Sequence, residues 1–299
     1  MLPKHSKKPP QAIFAPAKGR TALLCLILIA VMMFPLFPPP ASAVVSNRTA
    51  VQESLNKISV TLEAAEPVYQ KLREIIAEEI ASMEAGDDDS EPDIDEAEAA
   101  YEELNGFVKQ LEGYTADMIT LPGDPDTSDG KTVRATLEYL SMLRNMSADL
   151  AELVRYSIDM YRAVEPLGAM YVETDDFEVL AEQIWNGCEA TRVLMEKVKP
   201  PAYMAITHND MLARIVEFRD FGEDFYYACA MEDPLRIYSC VYRLNRIVRM
   251  FDICDENLTA DLEIQLMQAE RRLNGPVAQL RDELTRNLET LNNAQGRGQ

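Results

Sequence analysis

From Met204 through His208, Met211, Ile215, Phe218, Gly222 and Phe225 to Cys229, the spacing runs four, three, four, three, four, three, four. An α-helix turns once in 3.6 residues, so this stripe lies on one helical face; a strand, which alternates sides, would scatter it. The same period recurs along most of the chain. Positions 51, 55, 58, 62, 65, 69, 72, 76 and 80 form one apolar face, and Tyr101, Leu104, Val108 and Leu111 a second. Val133 to Tyr161 carries a third, ending near Pro166-Leu167-Gly168. No alternating strand pattern of useful length interrupts them. The expected fold is all-α, an up-and-down antiparallel bundle of about seven helices, and two successive bundles split near Gly168 fit the same pattern.

The breaks between stripes carry turn and capping chemistry. Gly86-Asp87-Asp88-Asp89-Ser90-Glu91-Pro92 ends the first helix, inside which Pro67 predicts a kink, and residues 121–130 form a Gly/Pro-rich turn. Thr174-Asp175-Asp176 suits the N-terminus of a fourth helix running to Lys199. Pro200-Pro201 stops it and opens the fifth. Asp233-Pro234 starts a sixth, with Ile237, Cys240, Leu244, Ile247, Phe251 and Cys254 on one face, and Thr259 is read as the cap of a seventh, interrupted at Gly275-Pro276.

The N-terminus follows a different grammar. Residues 1–20 hold five Lys/Arg and no acid, residues 21–34 are apolar, and Ala41-Ser42-Ala43 closes the segment. That is the order of a secretory signal peptide, expected to be cut after Ala43; the apolar run is short of the roughly 20 residues of a membrane-spanning helix. The expected organisation is signal 1–43, an N-terminal helical region 44–168 with an acidic linker at 85–96, a C-terminal bundle 169–293, and a disordered tail 294–299. The expected address is the periplasm or the cell exterior, with no membrane insertion after cleavage.

Charge narrows the partners. The chain carries −21 formally, and loss of residues 1–43 leaves 24 basic against 50 acidic residues. A surface so negative repels nucleic-acid phosphates and anionic lipid, so neither partner is expected.

Cys188, Cys229, Cys240 and Cys254 are an even set in an exported chain, the usual composition of a disulfide framework. If helices four to six are antiparallel neighbours, Cys229 and Cys240 sit within about 5 Å in height on either side of the 232–234 turn. With helix four turning into helix five at Pro200-Pro201, Cys188 and Cys254 are both about 20 residues above the 232–234 turn. The expected pairs are therefore Cys188–Cys254 and Cys229–Cys240, both structural staples.

Candidate chemistry is sparse. His208 is the only histidine beyond residue 43, which precludes a multi-histidine metal site or a histidine triad within one chain, and its place on the apolar stripe reads as a hydrogen-bonded core or cap histidine. Residues 87–98 place Asp87, Asp89, Glu91, Asp93, Asp95 and Glu98 near the ligand positions of a calcium loop. Pro92 stands where that loop needs glycine, so the segment reads first as an exposed acidic linker. Arg236, Arg243 and Arg246, with Arg249, make a local cluster of positive charge without an acid from Pro234 to Phe251. They are a candidate anion site, set against pairing with Glu217, Asp220, Glu223 and Asp224 of the preceding helix. Phe218, Phe221, Phe225, Tyr226, Tyr227, Tyr238 and Tyr242 gather at the same end, most simply as packed core.

Residues 194–212, LMEKVKPPAYMAITHNDML, followed by a long amphipathic helix, resemble secreted bacterial helical-bundle proteins of unknown function in which a Pro-Pro helix start precedes a histidine by about two turns. The resemblance covers about residues 180–255 and rests on Pro200, Pro201, His208 and Leu212. It implies a bundle and an exported address, and no activity. The expected role is non-enzymatic and without cofactor: an envelope scaffold or a binder of an unidentified protein partner, of unassigned oligomeric state. The alternative is a small-ligand, anion or calcium-binding module.

Overall fold

In a computed structural model the described residues are 41–85, 94–121, 127–168 and 176–296. They form seven α-helices and no strand: α1 (Ala41–Ala85), α2 (Ile94–Ile119), α3 (Ser128–Gly168), α4 (Phe177–Met195), α5 (Ala205–Ala230), α6 (Pro234–Arg272) and α7 (Ala278–Gly296), with a π-helical turn, Leu273–Val277, between the last two. The protein is an all-α helical bundle in which sequential helices pack together. The described residues from Ala50 onward form one compact unit. The apolar run expected to direct export lies outside the described residues, among which no helix is long and apolar enough to cross a membrane.

The periodicity becomes the core. Leu55, Ile58, Leu72 and Ile76 of α1 are buried, as are Leu104, Leu111 and Met118 of α2. Lys57 of α1 donates to the Asp117 carbonyl near the end of α2 at 3.0 Å, and Arg162 of α3 pairs with Glu98 at the start of α2, so the three helices run alternately up and down.

Helix α3 is the common wall of the unit. In its first half Tyr139, Leu140, Leu143 and Ser147 are buried within about 100° of arc. In its second half Tyr156, Met160 and Ala163 are buried on one side and Ala151 and Ile158 on nearly the opposite one. A helix apolar on opposed faces must be covered on both. One cover is α2, and the other is α4 with α5. The chain then returns to its beginning: Arg281 of α7 bonds Glu66 at 3.1 Å and lies 4.6 Å over the Tyr69 ring, so α7 packs with the first half of the sequence.

Helices α4 and α5 approach closely at Gly222. A Cβ built there meets Ile184 Cγ2 and the Trp185 backbone nitrogen at 3.0 Å and the Ala181 carbonyl at 3.2 Å. Two of those atoms belong to backbone, which cannot swing aside, so the gap in the stripe at Gly222 is what lets the helices touch.

Two expected boundaries moved. Helix α4 stops at Met195 rather than Lys199, and α5 starts at Ala205, because residues 196–204 make successive turns: Val198 N–H donates to the Met195 carbonyl and Met204 N–H to the Pro201 carbonyl. The break expected at Thr259 is absent, and α6 runs 39 residues straight through it. Asp255, Glu256 and Asn257 offer capping groups but no Gly or Pro, so the hydrogen-bond ladder continues. It is disturbed only at Gly275-Pro276, where the missing proline N–H accompanies the wider π turn. Pro67 lies inside α1, which continues past it.

Candidate functional site

The turn between α5 and α6 is built tightly. Glu232 N–H donates to the Cys229 carbonyl at 2.9 Å and Asp233 N–H to the Ala228 carbonyl at 3.1 Å, the paired bonds of a Schellman helix end. The residue that reverses the chain is Glu232, at φ 48°, where glycine is usual. Asp233 then caps α6: one carboxylate oxygen accepts from Leu235 N–H at 3.1 Å and Arg236 N–H at 3.2 Å, and Pro234 takes the first helical turn.

This turn fixes the first five turns of α6 against α5. Beneath them Phe221 stacks on Phe225 and on Phe218, while Phe251 of α6 and Phe177 of α4 meet the stack edge-on at 6.0 and 6.1 Å. The phenylalanines are packed as the sequence suggested. The tyrosines are not: Tyr226 and Tyr227 are exposed, Tyr238 is 76% exposed and Tyr242 75%. With Leu235 at 83% and Val241, they form an apolar strip on the side of α6 turned away from its core face. The core face itself is as expected, with Cys240, Ile247 and Cys254 buried.

Arg236, Arg243 and Arg246 border that strip and are neutralised from α5. Arg243 and Arg236 reach the two oxygens of Asp224 at 2.5 and 3.8 Å, and Arg246 pairs with Glu217. Arg219 meets Asp220 and Glu189 at 2.7 and 3.0 Å, tying α5 to α4. Bonds from Arg192 and Arg219 hold the Glu189 carboxyl down at about 2. The candidate anion site Arg236, Arg243 and Arg246 is therefore a ladder of intramolecular ion pairs, with Arg236 and Arg246 still half open to solvent.

Among the described residues Cys188, Cys229, Cys240 and Cys254 are free thiols, which corrects the expected Cys188–Cys254 and Cys229–Cys240 bonds. Register explains the first. Because residues 196–204 are not helical, α4 is shifted along α5: Glu189 faces Arg219, so Cys188 sits beside Arg219, whereas Cys254 sits beside Arg214 and Asp210. Those levels differ by five to nine residues of α5, about 7 to 13 Å, beyond disulfide reach. Cys229 and Cys240 do neighbour each other across the turn, close enough that a Cys240 thiolate would disfavour that of Cys229, but are not bonded. Burial pushes the Cys188 thiol up to about 12 and raises the other three, so none is poised as a nucleophile.

His208 is buried, its Nδ1 3.3 Å from the Tyr156 hydroxyl, and desolvation lowers its pKa while a backbone hydrogen bond at Met195 opposes that shift. It joins the start of α5 to α3 and the end of α4 as a core histidine. Of the candidate calcium loop, Asp87, Asp89, Glu91 and Asp93 lie outside the described residues; Asp95 opens α2 and Glu98 is engaged by Arg162. No group of three or more His, Cys, Asp or Glu able to hold a metal ion occurs among the described residues.

Comparison with protein families, curated proteins and solved structures returns no match. The resemblance of residues 180–255 to secreted helical bundles thus stands on its own residues. What the sequence missed is the outward strip of α6. Leu235, Tyr238, Val241 and Tyr242 follow the same three-and-four spacing as the buried face, half a turn away, so two apolar stripes shared one helix.

Proposed function

We propose that the protein is an exported, non-enzymatic docking protein that holds a partner protein on the outward strip of α6. The observation that supports this is the exposure of Leu235, Tyr238, Val241 and Tyr242 on a helix whose opposite face already fills the core. Contiguous exposed apolar surface of this kind marks interaction sites, and tyrosine gives large contact area with little side-chain entropy to lose. The half-open arginines Arg236 and Arg246 beside the strip call for a partner surface that is apolar with an acidic border. The export-type N-terminus read from the sequence supports a contact in the cell envelope or outside it. The buried His208 and raised cysteine thiols support a binding rather than a catalytic role.

Site-specific photo-crosslinking in the producing cell tests the reading. A crosslinker replacing Tyr238 should capture a distinct protein that one replacing Val60, exposed on α1, does not. The recovered partner should then bind the purified chain with an affinity that falls at least tenfold on Leu235→Lys with Tyr242→Glu and weakens as salt rises. Equal capture at both positions, or affinity indifferent to the double change, would sink the proposal. A dimer of this chain dissolved by the same substitutions would replace the partner with a second copy.

A further inference from the structure

A second open surface lies on the other side of α6 and owes nothing to the docking strip. Helices α3 and α6 diverge over α5, leaving a groove of about 570 Å³ whose one end is met by Ile94 and Ala97 at the start of α2. Met211 and Ile215 of α5 lie along its floor, Met160 and Val164 of α3 on one wall and Phe251 of α6 on the other. Its lining contains no lysine, arginine or histidine, and two carboxylates, Asp252 and Asp255, both on α6. Three residues apart on a helix, they lie about 60° from one another on the same side. Neither has an ion-pair or hydrogen-bond partner among the described residues, although Arg236, Arg243 and Arg246 of the same helix are paired with carboxylates of α5.

Size and charge together select the occupant. Small-molecule sites run from about 300 to 1,000 Å³, which includes this groove. A partner helix of three turns, about 10 Å across and 16 Å long, would need on the order of 1,200 Å³. Apolar walls require an apolar body, and the unpaired carboxylates on one rim require positive charge at one end of it. The chain's charge of −21 also concentrates cations around it. We propose that the α3/α5/α6 groove binds a cationic amphiphile, a small molecule with an apolar body seated on Met211, Val164 and Phe251 and a protonated amine or quaternary ammonium at Asp252 and Asp255. The aromatic ring of Tyr161, exposed in the lining, adds a face suited to an ammonium group.

The probes are decyltrimethylammonium, decyl sulfate and decyl maltoside, which share a tail and differ in headgroup, titrated calorimetrically below their micelle concentrations into the full chain, with circular dichroism checking that the helices persist. One saturable site is expected for the ammonium compound, with the sulfate roughly tenfold weaker. Asp252→Asn with Asp255→Asn, both exposed and therefore compatible with folding, should abolish the headgroup preference and leave maltoside binding unchanged. Ala97→Trp, which fills the end of the groove, should weaken all three by tenfold or more. The proposal is overturned if no saturable binding occurs, if the three headgroups bind alike, or if Ala97→Trp changes nothing. It is equally overturned, in favour of a peptide occupant, if a basic amphipathic helix displaces the ammonium compound at lower concentration than the compound itself binds.

Discussion

Tyr156 and His208 show how one buried pair joins three helices. The histidine sits where desolvation disfavours its charged form, and its ring meets the tyrosine edge-on at 5.9 Å between centroids. Its folded pKa lies below its ordinary value near 6.5, so the unfolded chain takes up the proton first on acidification. The stability this group confers is complete above about pH 6.5 and is lost as pH falls through the lower, folded value. Thermal melts of the wild type and of His208→Gln between pH 8 and 5 should therefore converge as the medium is acidified; a constant gap at every pH would show that His208 does not titrate on unfolding. This residue was legible in the sequence, because a lone histidine on an unbroken apolar stripe has little else to do than bond within the core. The tyrosine it meets was not, since nothing in the local pattern at 156 says which of several buried aromatics lies opposite.

At the scale of elements, the α5–α6 hairpin positions the exposed strip, and its two terminal devices can be tested against each other. Asp233→Ala removes the cap of α6 and should cost about 1 kcal/mol in denaturant unfolding. Glu232→Gly relieves a left-handed backbone that a side chain adopts at a cost, and should gain about 0.5 to 1 kcal/mol. Equal and negligible effects of the two would mean that the turn is not held as described. The start of α6 could be read directly from Asp233-Pro234, whereas its continuity past Thr259 could not: a threonine supplies the same hydroxyl whether it caps a helix or sits within one, and only the absence of Gly or Pro until residue 275 distinguishes the cases. The same difficulty hid the end of α4. Pro200-Pro201 marks a break but not its length, and the nine residues 196–204 spent on it displaced the register on which the expected cysteine pairs depended.

For the whole molecule the cysteines give a direct readout of that register. Maleimide applied to the folded chain should modify Cys229 first, as the half-buried member of the set, and modify Cys188, Cys240 and Cys254 only on unfolding. After denaturation without reductant all four thiols beyond residue 43 should react, and modification of two or fewer of them would restore crosslinks to the structure. Absent such bonds, cohesion must come from packing, and α3 carries much of it. Its first half lies in the core with α1, α2 and α7, and its second half beneath α4 and α5. A wall common to two rooms cannot be removed from one of them alone. Loosening α4 and α5 uncovers Tyr156, Met160 and Ala163 on the same rod that carries Tyr139 and Leu143 into the same continuous core. Residues far apart in the sequence, and on opposite sides of the Gly168 boundary, thus share one melting transition, so that a substitution near the α6 strip registers in the amide protection of α1.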